Sequence, residues 1–339
     1  MCAPPLEEAD GANPPGPRTK SAGEVVPAVM TLRQRFVLIT AILASFVPFL
    51  DGTIVNVALP AVVDELGGGV VTSQWVLDGY LLSLASLILL AGSVSDSFGR
   101  SRVLGLGLIL FGAASIACAL APTAGVLIAA RIAQGVGGAL LVPSSLAIIT
   151  ANFDGQTRAR AIGLWTGWTG VAFIAGPVLG GALVDTIGWR WIFGINVVPI
   201  LITLLLLRRV GDPEGSRSGV RIDLFGAVLG SLGLAGPVFA LIEQERLGWT
   251  DPLVLVPLIL GLSCFIGYLF WERRSSHPML PLSLFRSPGF SLVNAVTLTF
   301  SAGTFGAVFL LAQFFQVVQG LSPLDAGLRT LPWTAAPMI

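Results

Sequence analysis

The sequence predicts an all-α, polytopic membrane protein on three observations: its apolar composition, the recurrence of apolar segments about 20 residues long, and the one-sided placement of its basic residues. Of the 339 residues, 54% are hydrophobic and 11% charged, and mean hydropathy is +0.85. A soluble domain carries about a quarter charged residues, so this chain needs lipid as its solvent. The 19 basic and 19 acidic side chains cancel, which argues against a nucleic-acid partner.

Nine segments are long enough to cross a bilayer as helices: residues 36–59, 75–94, 103–120, 125–150, 161–184, 192–207, 224–242, 253–271 and 290–312. A tenth begins near Gly327. One such segment could be a buried soluble helix, but nine in succession could not. With the amino terminus inside, fifteen of the 19 Lys and Arg residues fall on the inner side and only Arg190 and Arg246 on the outer side. Arg131 and Arg329 lie within spans. That asymmetry places the amino terminus in the cytoplasm and the protein in the plasma membrane.

The domain plan follows from loop length and composition. Residues 1–35, rich in Pro, Gly, Ala and charge, read as a disordered cytoplasmic tail with no basic region leading into an apolar core, hence no cleavable signal. Residues 36–207 form a six-helix bundle. Residues 208–223 (RRVGDPEGSRSGVRID beginning at Arg208) have the composition of a linker. Residues 224–271 are an inserted helix pair, and 272–339 a cytoplasmic loop and the start of a second bundle.

Few groups here carry metal or nucleophile chemistry. Cys2, Cys118 and Cys264 are far apart and, with the single His277, match no metal-ligand spacing; all three read as unpaired thiols and His277 as a solvated loop side chain. No nucleophile arrangement or phosphate-cradling loop is visible, so an enzyme is not expected, and no cofactor is implied. The tryptophans at 75, 189, 191, 249 and 271 lie near predicted membrane edges and read as interfacial anchors.

The charges inside apolar segments are the most informative. Asp51 lies eight residues before the outer end of span one, about 12 Å, and Arg131 six residues into span four, about 9 Å from the same side. At similar depth they could pair or share a water-filled cavity, as a proton-handling site or as a structural ion pair. Asp78, about 5 Å into span two, reads as interfacial and ranks below Asp51.

Two glycine-rich elements stand beside them. Gly92, Asp96, Gly99, Arg100 and Arg102 make a tight inner turn between spans two and three, where Asp96 can latch to Arg100 one turn away. The bland reading is an ordinary charged loop. Span five carries Gly167, Gly170, Gly176, Pro177, Gly180 and Gly181, which permit bending and close helix approach or are generic membrane-helix packing. The spacing Gly-x-x-x-Asp-x-x-Gly occurs at Gly92–Gly99 and again at Gly181–Gly188, on opposite faces, as an inverted three-helix repeat would give.

At these residues the chain resembles the major facilitator superfamily, and within it the fourteen-span drug/proton antiporters of EmrB/QacA type. LDGTIVNVALP from Leu50 is similar to that subfamily's first-span motif, and GSVSDSFGRSR from Gly92 to the superfamily's loop between spans two and three. LIAARIAQGVGGALLVPSS from Leu127 is similar to the fourth-span motif, whose arginine is linked to proton coupling, and GPVLGG from Gly176 to the antiporter motif of span five. Ser97 and Ser101 stand where the loop motif often has basic residues, a departure that weakens any charge relay there.

The resemblance implies proton-driven export of small amphipathic molecules by alternating access, with Asp51, Arg131 and Asp78 as coupling residues. It also implies that this chain is the amino-terminal part of a fourteen-span protein whose remaining second bundle is needed for function. A metabolite symporter is the rival within transport. A channel or membrane receptor is the rival outside it, and a channel would need a filter loop or pore-lining ring that the sequence does not show.

Overall fold

A computed structural model describes residues 30–210, 223–275 and 278–335. The expected tail up to residue 29 with Cys2, linker residues 211–222 and His277 lie outside the described residues. Helix α1 spans Leu32–Leu66, α2 Gly69–Phe98, α3 Arg100–Ala119, α4 Ala124–Asn152 and α5 Gly155–Thr186. A short α6, Trp191–Gly194, leads into α7, Val197–Val210. The series continues with α8 (Leu224–Leu247), α9 (Pro252–Arg274), α10 (Pro288–Gln313), which runs on into a π-turn at Phe314–Val318, and α11 (Pro323–Ala335).

The described chain is helical, and nine of its helical stretches are long and apolar enough to cross a membrane. The helices overrun the apolar segments at their polar ends. Thr31 caps α1 through a reciprocal box, its hydroxyl accepting from the Gln34 N–H while the Gln34 side chain accepts from the Thr31 N–H, so residues 32–35 are helical rather than tail. α2 likewise begins at Gly69 rather than near Trp75, and α11 at Pro323 rather than near Gly327. The sixth span is broken between α6 and α7 where one continuous helix was expected.

Helices α1, α4 and α5 pack together, with α2 and α3 against α4 and α7 against α1 and α3. The α8–α9 hairpin packs on itself and leans on α2. Among the glycines of positive φ at the helix connections are Gly99 at 100° and Gly188 at 96°. These are the final glycines of the two repeated motifs, so the repeat in sequence is also a repeat in backbone geometry. Large side chains such as Leu260 and Ile266 on α9 and Leu292 and Leu298 on α10 are exposed, as a hydrocarbon solvent allows.

One expectation about side chains needs correction. Trp189 is buried and presents no ring as an anchor would; its indole donates to Glu65 at 2.7 Å while Glu65 also holds Arg190 at 2.6 Å. Trp75 and Trp271 are likewise tied to carboxylates, Glu243 at 2.9 Å and Asp223 at 2.7 Å. Trp191 and Trp249 are exposed as anchors would be. Cys118 and Cys264 are free thiols.

Candidate functional site: a buried ion pair beside an inter-helix chamber

Asp51 and Arg131 are brought together. The Arg131 Nη1 donates directly to Asp51 Oδ2, and both side chains are 0% exposed. Each partner has further bonds. Asp51 Oδ1 accepts from Gln134 Nε2 at 2.9 Å and from Asn196 Nδ2 at 2.8 Å. Arg131 donates through Nε to the Val76 carbonyl at 2.9 Å and through Nη1 to Gln134 Oε1 at 2.6 Å. Its guanidinium lies 4.2 Å from the centre of the Tyr80 ring, whose hydroxyl donates to the Pro48 carbonyl at 2.8 Å. Ser115 completes the cluster, accepting from Gln134 at 2.8 Å.

A buried charge pair is tolerable only when its remaining hydrogen-bonding capacity is nearly filled. Here four helices and the α6–α7 break supply the partners. Asn196 sits in that break, between Gly194 and Val197, where a regular helix gives way and its side chain reaches inward. Two polar atoms of the cluster, Arg131 Nη2 and Asn196 Oδ1, stay buried without a partner. The cluster is therefore short of one acceptor and one donor.

The pair does not face open space. A chamber of about 530 Å³ lies beside it between α1, α5 and α10, lined among others by Thr53, Asn56, Thr169, Gly170, Phe173, Phe300 and Phe305. None of its lining residues is charged. Thr53 donates to the Leu50 carbonyl at 3.0 Å, and Thr169 to that of Thr166 at 2.8 Å, so these hydroxyls keep only acceptor capacity for the chamber. Phe173 and Phe305 meet edge to face, centroids 6.0 Å apart.

Asp78 is neither at a helix end nor with the buried pair. Because α2 starts at Gly69, Asp78 lies about 13 Å along the helix. It lines a second chamber of about 230 Å³ together with Gly52, Asn56, Gln74, Phe305 and Phe309. The sequence expectation set Asp78 near the start of its helix; α2 instead begins a turn and a half before Trp75, which puts Asp78 on a chamber wall.

In the α2–α3 turn Asp96 pairs with Arg100 at 3.0 Å, one helical turn apart, and Arg100 also donates to the Ala147 carbonyl of α4 at 3.0 Å. Both side chains are part-exposed. Gly92 faces Pro143 of α4, and Arg102 is exposed on the next turn. The repeat copy behaves differently: Asp185 accepts from the Leu324 N–H at 3.0 Å, reaching across to the start of α11.

The span-five glycines serve close approach on two sides. A Cβ on Gly176 would stand 2.0 Å from Thr53 Oγ1, and one on Gly180 2.7 Å from the Ile54 carbonyl oxygen, so this face of α5 is filled by α1. A Cβ on Gly181 would stand 2.5 Å from the Pro323 carbonyl oxygen, and one on Gly327 of α11 2.3 Å from that of Pro177. Gly170 instead opens onto the larger chamber, while α5 runs through Pro177 as one helix.

The sequence reading missed Gln134, Asn196, Ser115 and Tyr80. Gln134 could have been found, because a polar residue three positions after Arg131 shares its helix face. Asn196 could not, since its place depends on the break in the sixth span.

A buried ion pair beside two chambers, among helices long and apolar enough to cross a membrane, marks a polytopic helical membrane protein. Residues 41–339 match the Major Facilitator Superfamily, and the chain belongs to that family. It is 38% identical over 312 residues to the multidrug resistance protein Stp of Mycobacterium tuberculosis, covering 91% of this chain and 58% of that protein. It is 39% identical over 300 residues to the methylenomycin A resistance protein of Streptomyces coelicolor (88% and 63%), and 36% identical over 300 residues to a puromycin resistance protein of Streptomyces alboniger (87% and 59%). The chain thus spans less than two thirds of the length of these curated relatives. Among solved structures, the peptide transporter POT in complex with sulfate aligns with TM-score 0.55 at 17% identity over 87% of this chain and 64% of that one, a likeness of fold alone.

Proposed function

We propose that this chain is the amino-terminal part of a fourteen-span proton antiporter that exports small amphipathic or toxic molecules, with its amino terminus in the cytoplasm of a cell whose plasma membrane it crosses. The observation that carries the reading is the fully buried Asp51–Arg131 pair, set two residues along α1 from Thr53 on the chamber wall. Relatives named for resistance to several drugs, to methylenomycin A and to puromycin support export as the direction.

In this mechanism Asp51 carries the coupling proton. The Arg131 guanidinium on α4 is the charge that the Asp51 carboxylate on α1 faces, so a shift of α4 against α1 changes the pairing on which exchange depends. A proton arriving at Asp51 cancels its charge and frees Arg131 to lean on Gln134 and the Val76 carbonyl. The unpartnered Arg131 Nη2 and Asn196 Oδ1 give a proton-carrying water its hydrogen bonds. Asp78, which lines a chamber directly, is the second carboxylate in reach of protons. Substrate in the chamber and proton at the cluster are then linked through one equilibrium of the bundle, and linkage requires that each alter the other's affinity.

The test is proton release on adding amphipathic dyes to the protein in lightly buffered detergent, with dye efflux from liposomes under an imposed pH gradient. Export predicts proton release in wild type and none in Asp51→Asn. Uphill dye movement down the proton gradient's own direction would make it a symporter, and gradient-independent flux would make it a channel.

A further inference from the structure

We propose that the α8–α9 hairpin is a brace for α2, with Glu243 as a positioning residue that acts through Trp75 to hold Gln74, Asp78 and Leu81 on the wall of the smaller chamber. The Glu243 carboxylate, itself buried, accepts from the Trp75 indole at 2.9 Å. One helical turn earlier on α8, the Phe239 ring meets the Trp75 ring with centroids 5.5 Å apart. Further along α2, the Ser231 hydroxyl of α8 donates to the Ser86 carbonyl at 3.4 Å. At about 100° per residue, the step from Trp75 to Ser86 makes three turns and ends about 20° from where it began, so α8 runs along one face of α2. Gln74, Asp78 and Leu81, which line the chamber, lie about 60–120° round the helix from Trp75.

That chamber face has a reason to turn away. Gln74 Oε1 is buried without a partner, and the Asp78 carboxylate shares its chamber, so keeping both there costs free energy. Rotation of α2 about its own axis would relieve the cost. On another flank α4 opposes it, where a Cβ on Gly135 would stand 2.3 Å from the Tyr80 carbonyl oxygen. The indole bond to Glu243 opposes it at the residue next to Gln74.

A brace must be stiffer than what it holds. A Cβ on Gly236 of α8 would stand 2.2 Å from the Pro257 carbonyl oxygen of α9, and one on Gly261 of α9 2.5 Å from Pro237 Cδ, so the two helices touch backbone to backbone. The ends of the hairpin are tied as well: Asp223 Oδ1 accepts from the Gly226 N–H at 2.8 Å and Oδ2 from the Trp271 indole at 2.7 Å. The hairpin packs on the rest of the described chain chiefly through α2, which is where its stiffness is delivered.

The brace goes beyond the export reading and is tested without transport. Spin labels at Val70 and Thr186, both exposed, in a background free of Cys2, Cys118 and Cys264, report the α2–α5 distance by pulsed EPR in lipid nanodiscs. Trp75→Phe removes the indole N–H and keeps a ring against Phe239, whereas Glu243→Leu removes the acceptor. Each should shift or broaden the distance by about 3 Å, the arc that a helix surface about 5–6 Å from its axis sweeps in a turn of about 30°. Glu243→Gln retains an acceptor oxygen and should keep the wild-type distance. Arg246→Gln should keep it too, since it removes only the ion pair at 2.8 Å. Melting temperatures identify any variant that has not folded, and Trp75→Phe, the milder change, then decides alone. An unchanged distance in Trp75→Phe overturns the proposal. So does a shift in Arg246→Gln as large as in Glu243→Leu, which would make the ion pair the tie. Shifted distances in a protein without gradient-driven efflux would sink export and leave the brace standing; efflux with unchanged distances would do the reverse.

Discussion

Arg131 reaches Asp51 across 80 residues of sequence, and the two close a charge pair with no exposure to solvent. Removing one partner strands the other, so this pair governs stability as well as any coupling. Asp51→Asn keeps size but turns one of the two accepting oxygens into an NH2 donor and leaves the guanidinium uncompensated, which costs about 3–5 kcal/mol in buried pairs. We expect proton-driven efflux to be lost and the detergent melting temperature to fall. Asp51→Asn combined with Arg131→Gln should recover most of the melting temperature without recovering efflux. Wild-type efflux in Asp51→Asn at equal expression would make Asp51 structural and move the coupling role to Asp78.

Arg131→Lys retains the charge and loses the planar fork that serves Asp51, Gln134 and the Val76 carbonyl together. It should impair transport at near-normal expression. Full activity in this variant would show that a point charge suffices.

Gly176→Ala is the sharper test of span five than a bulky substitution, because a single methyl already meets Thr53 Oγ1 at 2.0 Å. Overpacking of this kind costs about 1–3 kcal/mol. The loss should be measurable as a lower melting temperature, and Thr53→Ala should restore part of it by removing the hydroxyl. An unchanged melting temperature in Gly176→Ala would mean that α1 and α5 separate easily at this point.

Asp96 and Arg100 make a part-exposed pair one turn apart, a class of interaction worth about 0.3–0.5 kcal/mol. Asp96→Asn should therefore leave thermal stability within about 1 kcal/mol of wild type. A transport defect in a variant of normal stability would locate the role of this turn in motion. A large drop in stability would instead make it a structural clamp.

Orientation is checked by thiol labelling in intact cells. Single cysteines at Gly69 and Thr250 are expected outside and should react with an impermeant reagent, while those at Gln156 and Ser287 should not; all four positions are exposed. Ser101, at the motif turn, is a poorer reporter because it is buried. Reaction of the second pair alone would invert the topology.

The sequence made the helices legible because twenty apolar residues have few alternatives, and it placed Asp51 and Arg131 at matching depth because rise per residue is constant in a helix. Helix ends were less legible. Polar residues such as Gln34 and Asp78 lie beyond or near the ends of apolar runs, yet capping and packing extend the helices past them. The partners of the ion pair were hidden for another reason. Asn196 and Ser115 carry no charge; only the broken sixth span brings Asn196 to the carboxylate, and only the packing of α3 brings Ser115 to Gln134 beside it.

The two glycine faces of α5 also set an order of assembly. The face bearing Gly176 and Gly180 fits α1, which leaves the ribosome before α5 and is waiting in the bilayer when α5 arrives. The face at Pro177, Gly181 and Asp185 fits α11, whose first turn follows Asp185 by 139 residues. During synthesis that second face has no helix to pack on until the α8–α9 hairpin and α10 have been made, while Asp185, exposed in the last turn of α5, keeps its access to water. The α11-facing end of α5 is thus the last part of that helix to find its neighbour, and a pause or a lipid that fills the groove too well would be felt there first.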